Sequence, residues 1–145
     1  MPEDLEELAA RALAAREAAY APYSRFLVGA AVRTRDGRMF AAGNVENASY
    51  GLTLCAERGA ILQAVSAGIR EIVALAVATA TSPPTAPCGA CRQVLAEFAA
   101  DDCPVLLVNL EGEKRLITLG DLLPYAFRPS DLGATFCAEP RHGRG

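Results

Sequence analysis

Residues 72–109 read IVALAVATATSPPTAPCGACRQVLAEFAADDCPVLLVN, and this stretch decides the fold. The unbroken apolar run Ile72 to Ala78 predicts a strand buried on both faces. Prolines crowd the segment from Thr81 to Pro87 and force a loop. Cys88 to Phe98 predicts a helix, and Val105 to Asn109 a second strand. Strand, helix and strand in succession mark an α/β protein.

Working outward, the same alternation continues. Towards the N-terminus, Leu54 to Ala67 predicts a helix closed by Gly68. Gly43 to Thr53 carries Gly, Asn and Ser and predicts a loop. Phe26 to Thr34 and Arg38 to Ala42 predict strands around an Asp36-Gly37 hairpin turn. Residues 3–19 place Leu5, Leu8, Ala12, Ala15 and Ala19 at helical spacing, and Ala21-Pro22-Tyr23-Ser24 ends that helix. Towards the C-terminus, Glu111-Gly112 predicts a turn, Arg115 to Thr118 a last strand and Leu119 to Leu123 a short helix. These elements predict a single α/β sandwich with helices on both faces of the sheet. It is expected to span residues 1–137, followed by a disordered tail at 138–145.

Composition narrows the function. The chain has 145 residues, 52% of them hydrophobic and 21% charged, which suits one domain and excludes intrinsic disorder. Net charge is −3, and the basic residues are scattered, so no basic patch for nucleic acid is expected. The acidic N-terminus lacks the pattern of a secretory leader, and no apolar run is long enough to span a membrane. The expected location is therefore the cytoplasm. Five cysteines, at 55, 88, 91, 103 and 137, are an odd number and too sparse for a disulfide scaffold.

The chemistry sits at two helix starts. Cys55-Ala56-Glu57-Arg58 and Pro87-Cys88-Gly89-Ala90-Cys91-Arg92 each open a predicted helix, where free N–H groups favour thiolate. Cys88 and Cys91, three apart, share one helix face. With Cys55 they make three soft ligands for one Zn²⁺ per chain, leaving a fourth position for water, as in catalytic zinc sites. Three thiolates over-neutralise the ion, and Arg58 and Arg92 are candidates to hydrogen-bond the sulfurs. Glu57 is placed to shuttle protons rather than to ligate. A redox Cys88–Cys91 pair would leave Cys55 and Glu57 unexplained, and a closed four-cysteine site would need Cys103 or Cys137. Both of those are otherwise read as small core residues.

With the motifs placed, the sequence resembles the zinc nucleoside deaminases, and more narrowly the small homotetrameric cytidine deaminases. The likeness runs from Tyr20 to Leu132. It is carried by Ala21-Pro22-Tyr23-Ser24, Phe26 to Ala30, Asn44-Val45-Glu46-Asn47-Ala48, the Cys55 motif, Pro87 to Val94 and Leu122-Leu123-Pro124. Cysteine at 55, where polynucleotide-editing relatives carry histidine, points to the free-nucleoside branch. The resemblance implies a three-layer α/β/α sandwich around a mixed five-stranded sheet. It further implies that Asn44 and Glu46 bind the ribose 3′-hydroxyl, that Phe26 packs on the pyrimidine, and that the Ala56 N–H donates to the base carbonyl. Tyr50 and Phe127 match residues that reach a neighbouring subunit's site, which implies a homotetramer. Leu27 stands where proline is common, Gly43 where cysteine is common, and Gly59 where a hydroxyl side chain is common.

The activity so implied is hydrolytic deamination of cytidine and 2′-deoxycytidine, with Glu57 moving protons to ring N3 and to the departing amino group. Two alternatives stand beside it. One is an enzyme of the same fold acting on another aminopyrimidine nucleoside, such as blasticidin S. The other is a non-enzymatic zinc-stabilised module, which would have a closed metal site and no use for Glu57.

Overall fold

Five strands order as β2-β1-β3-β4-β5 in one mixed sheet, in a computed structural model that describes residues 3–133. In chain order the elements are α1 (Glu3–Arg16), β1 (Gly29–Thr34), β2 (Met39–Gly43), α2 (Ala56–Ser66), β3 (Ile72–Thr79), α3 (Gly89–Phe98), β4 (Pro104–Asn109), β5 (Lys114–Thr118) and α4 (Leu119–Leu122). Single 3₁₀ turns lie at Tyr50–Leu52 and Pro129–Leu132. The expected tail, and Cys137 with it, lie outside the described residues.

The sheet is covered on both faces, as its apolar central strands require. Leu5, Leu8, Ala9 and Ala12 of α1 pack on Ala31, Ala74, Ala76, Ala78, Leu106 and Val108. The opposite face, with Val32, Leu75, Val77, Val105 and Leu107, meets Ala60, Ile61 and Ala64 of α2, Leu95 and Ala96 of α3 and Leu119 of α4. Every residue of β3 except Val73 is buried, in line with its unbroken apolar run.

Topology explains where the helices begin. β1 pairs antiparallel with both β2 and β3, so β2 and β3 run the same way, and β3 pairs parallel with β4. The connections from β2 through α2 to β3, and from β3 through α3 to β4, are crossovers between strands of one direction. Both helices therefore start at the carboxyl ends of these strands, the edge of an open α/β sheet where sites form.

The ends of several elements differ from the sequence expectation. Helix α1 stops at Arg16 rather than Ala19, and residues 17–19 tighten into i→i−3 bonds, such as Glu17 N–H to the Ala14 carbonyl at 3.1 Å. Strand β1 starts at Gly29 rather than Phe26. The Phe26 carbonyl and the Val28 N–H bond to the Asn44 side chain, and the Leu27 carbonyl accepts from Arg16, so this segment is held largely by side chains. Gly43, expected in a loop, ends β2.

Gly29 and Gly43 face each other in the β1–β2 register, and the end of α1 rests on this pair. A Cβ at Gly29 would lie 2.0 Å from the Ala12 carbonyl oxygen, and one at Gly43 would lie 2.7 Å from the Ala19 Cα. The contacts are backbone, so no side chain can swing away. Gly29→Ala is expected to destabilise the fold by about 3 kcal/mol, against little change for Gly51→Ala, whose Cβ meets nothing within 4 Å. Denaturant unfolding of the two variants checks this, and equal midpoints would refute it.

Candidate metal centre

Cys55 and Cys88 occupy equivalent places: each is the residue before the first turn of its helix, α2 and α3 respectively, and neither side chain caps a backbone N–H. Helix starts ordinarily carry Ser, Thr, Asp or Asn there to satisfy the free N–H groups. A thiolate satisfies the same electrostatic need without a tight cap. Cys91, in the first turn of α3, is buried, Cys55 half-buried and Cys88 exposed.

The three sulfurs lie within 4.8 Å of one another. Cys55 and Cys88 are 3.9 Å apart, and the Cys88 thiol donates to Cys91 at 3.5 Å. No fourth His, Cys, Asp or Glu joins this cluster among the described residues. Cys103 is buried elsewhere, its thiol directed at the Pro104 carbonyl, so it does not close the site. Burial pushes its pKa up to about 12, as expected for an inert core thiol. Three clustered sulfurs at two helix N-termini fit one Zn²⁺ with one coordination position free for water.

Charge is arranged around one sulfur in particular. The Cys91 thiol, followed by the Arg58 guanidinium, holds the Cys55 pKa down to about 5, against desolvation that opposes it. Cys91 is pushed up, first by its hydrogen bond to Cys55 and then by burial. Arg58 donates from Nη2 to the Cys55 sulfur at 3.2 Å, while its buried Nε has no partner. The expectation for Arg92 needs correction. Its Nε donates to the Pro87 carbonyl at 2.7 Å and its Nη1 to the Leu122 carbonyl at 2.8 Å, so it braces the chain beside Cys88 and leaves the sulfurs to Arg58.

Glu57 lies in the first turn of α2 and is only 4% exposed. Desolvation raises its pKa to about 6, its own backbone N–H opposes this, and the charge on Cys55 adds to the rise. Between the unfolded value of 4.5 and about 6 the folded state holds more protons than the unfolded one, so stability falls as pH rises through that window. Without metal, Glu57→Gln should therefore be more stable than the parent at pH 7 by about 2 kcal/mol. The advantage should vanish near pH 4.5. Chemical denaturation at the two pH values checks it, and an equal gain at both would refute the assignment.

The residues implied for the nucleoside are wired to this centre through the backbone. Leu54, just before Cys55, exchanges two 2.9 Å hydrogen bonds with Val45, which lies between Asn44 and Glu46. Asn44, 8% exposed, accepts from the Val28 N–H at 3.0 Å and donates to the Phe26 carbonyl at 2.9 Å. The Glu46 carboxylate accepts the Tyr23 and Ser24 N–H groups at 2.9 and 3.1 Å and the Ser24 hydroxyl; the hydroxyl foremost lowers its pKa. Both side chains thus hold the segment carrying the half-exposed Phe26, a framing role that spacing along the chain did not reveal. Ala56 is buried in the first turn of α2. Tyr50 is 75% exposed, edge-on to Tyr23 with ring centroids 6.0 Å apart. Phe127 is 57% exposed, while its carbonyl is held by Gln93 of α3 at 2.8 Å.

Residues 2–107 match the family model described as the cytidine and deoxycytidylate deaminase zinc-binding region. The chain is 52% identical over 129 residues to a cytidine deaminase of Halalkalibacterium halodurans, covering 89% of this chain and 98% of the relative. A cytidine deaminase of Sporosarcina psychrophila is 50% identical over 129 residues, covering 89% and 95%. Among solved structures, the cytidine deaminase of Burkholderia pseudomallei superposes with a TM-score of 0.82 at 52% identity, covering 88% of this chain and all of that one. That of Mycobacterium tuberculosis gives 0.75 at 44% identity, covering 87% and 98%.

Proposed function

The chain belongs to the cytidine and deoxycytidylate deaminase family, and from that premise we propose how its own residues carry the reaction. It is a zinc-dependent enzyme that deaminates cytidine. The proposed zinc ligands are Cys55, Cys88 and Cys91. Bound there, zinc supplies a Lewis acid that makes water acidic enough to attack the ring near neutral pH. The start of α2, the start of α3 and Arg58 together hold the negative charge that three sulfurs concentrate.

Glu57 is the proton carrier. It takes a proton from the attacking water, delivers it to ring N3 as the new C4–O bond forms, and then moves a proton to the amino group, which leaves as ammonia. The balance is cytidine and water giving uridine and ammonia. The observation that carries this role is the placement of Glu57, buried in the first turn of α2 two residues past Cys55, where a carboxylate can stand between the proposed zinc site and the ring.

For the substrate we assign Asn44 and Glu46 to the ribose 3′-hydroxyl, Phe26 to the base face and the Ala56 N–H to the base carbonyl, with 2′-deoxycytidine accepted beside cytidine. Each polar group has spare capacity: the Asn44 amide keeps one hydrogen and one lone pair free of the bonds above. Tyr50 and Phe127 are assigned to a neighbouring copy's site in a homotetramer, and their exposed rings support this. The cellular role proposed is pyrimidine salvage in the cytoplasm; among the described residues no helix is long and apolar enough to cross a membrane.

Loss of cytosine absorbance with cytidine as substrate, with zinc counted on the same sample, tests the reading. Turnover with about one zinc per chain is expected on the three-ligand set. Zinc without turnover on either nucleoside would turn the assignment to another aminopyrimidine. Light scattering tests the assembly, and a monomer as active as the native protein would remove Tyr50 and Phe127 from it.

A further inference from the structure

Residues 81–87 carry the chain from β3 to Cys88, and among the described residues none of them makes a hydrogen bond between backbone groups. Side chains hold the segment instead. The Thr79 hydroxyl meets that of Thr81 at 3.0 Å and accepts the Thr85 N–H at 3.3 Å. The hydroxyls of Thr81 and Thr85 lie 2.6 Å apart, and Thr81 also donates to the Pro83 carbonyl at 2.9 Å.

Asn109, at the end of β4 and 2% exposed, ties this loop to the rest of the sheet. Its Nδ2 donates to the Thr81 carbonyl at 2.9 Å and to Glu113 Oε1 at 2.7 Å. Its Oδ1 accepts the N–H groups of Glu111 and Glu113 at 3.0 and 2.9 Å. An amide offers two hydrogens and two lone pairs, so all four are in use. The Ser82 hydroxyl donates to the same Glu113 oxygen, so the turn between β4 and β5 grips the loop twice. At the far end Arg92 holds the Pro87 carbonyl, one residue before the ligand.

We infer that Asn109, supported by Glu113, is a positioning residue for the metal ligand Cys88. Cys55 and Cys91 are anchored by burial or by Arg58, whereas Cys88 is exposed and stands at the junction of α3, where Arg92 holds it from one side and the loop from the other. A fully satisfied buried amide admits one geometry, and removing it frees the Thr81 carbonyl and loosens the arm that ends in Cys88. Partners that orient a ligand from behind typically govern metal retention by about ten- to a hundredfold. The inference rests on zinc being held by the three cysteines, as proposed above.

Release of zinc from the native holoenzyme to a chromophoric chelator tests it. Asn109→Ala and Glu113→Ala are expected to release zinc about ten- to a hundredfold faster than the parent. Glu113→Gln, which keeps an oxygen where Oε1 accepts from both Ser82 and Asn109, should release it at close to the parental rate. Val108→Ala, on the neighbouring strand position facing α1, destabilises the core without touching the loop and should leave release unchanged. Hydrogen exchange in the metal-free proteins should show the Thr85 amide losing protection in the first two variants alone. Parental release rates in Asn109→Ala and Glu113→Ala would overturn the inference. So would equal acceleration in Val108→Ala, which would make the effect one of global stability. Since Glu113 is exposed, its variants keep the test valid should Asn109→Ala fail to fold. A parent protein that holds no zinc would overturn the metal assignment itself, a result distinct from parental release by the variants.

Discussion

Replacing Glu57 by glutamine is expected to lower cytidine turnover by about a thousandfold or more while the protein keeps its zinc. Glutamine matches the carboxylate in size, so the first turn of α2 and the buried pocket around residue 57 stay filled. What is lost is the proton site. A positioned acid–base group contributes about 10²–10⁴ to rate, and Glu57 is asked to serve at N3 and again at the amino group. Binding of cytidine should change far less than turnover, because the groups assigned to the sugar and base are untouched. Steady-state kinetics with zinc counted on the same samples decide the matter. Turnover within tenfold of the parent would remove Glu57 from the reaction, and loss of zinc in the variant would show that it supports the metal instead.

Cys91→Ala is expected to abolish both zinc binding and turnover and yet leave a folded protein. Cys91 is the buried member of the proposed ligand set, and its sulfur stands against Cys88. Removing it leaves two sulfurs, one of them exposed, too few for a stable tetrahedral site. The fold is expected to survive this change, because the two apolar layers around β1, β3 and β4 are built from side chains other than the three cysteines. The expected readings are zinc well below one per chain, no turnover above background, and a native circular dichroism spectrum. Adding zinc should raise the melting temperature of the metal-free parent and not that of the variant, since only the parent gains from binding. A variant that holds one zinc per chain and remains active would require another ligand set.

Much of the molecule was legible from the sequence because its signals are local. Apolar runs, helical spacing and turn residues report the conformation of the segment that contains them. That is why β3, α3 and the hairpin at Asp36-Gly37 fall where expected. The Cys88–Cys91 spacing and the place of Glu57 two residues past Cys55 are local in the same sense, since one helical turn fixes both. Errors gathered where a distant group supplies the hydrogen bonds. Asn44 holds the Phe26 carbonyl and the Val28 N–H, and Arg16 holds the Leu27 carbonyl, so β1 begins late.

The sequence by itself determined the layered α/β architecture and the two local motifs, Cys55-Ala56-Glu57 and Cys88 to Cys91, since each is written in spacing within one turn or one run. Only the tertiary structure decided that Cys55 meets Cys88 and Cys91. Their meeting depends on β2, β3 and β4 running in one direction, so that α2 and α3 start at the same edge of the sheet. It also sent Arg58 to sulfur and Arg92 to carbonyl oxygens, and it made Asn109 a four-way tie behind the Cys88 loop. A side chain's partners are set by which strands pair and in what register, and that is a property of the packed whole rather than of any segment.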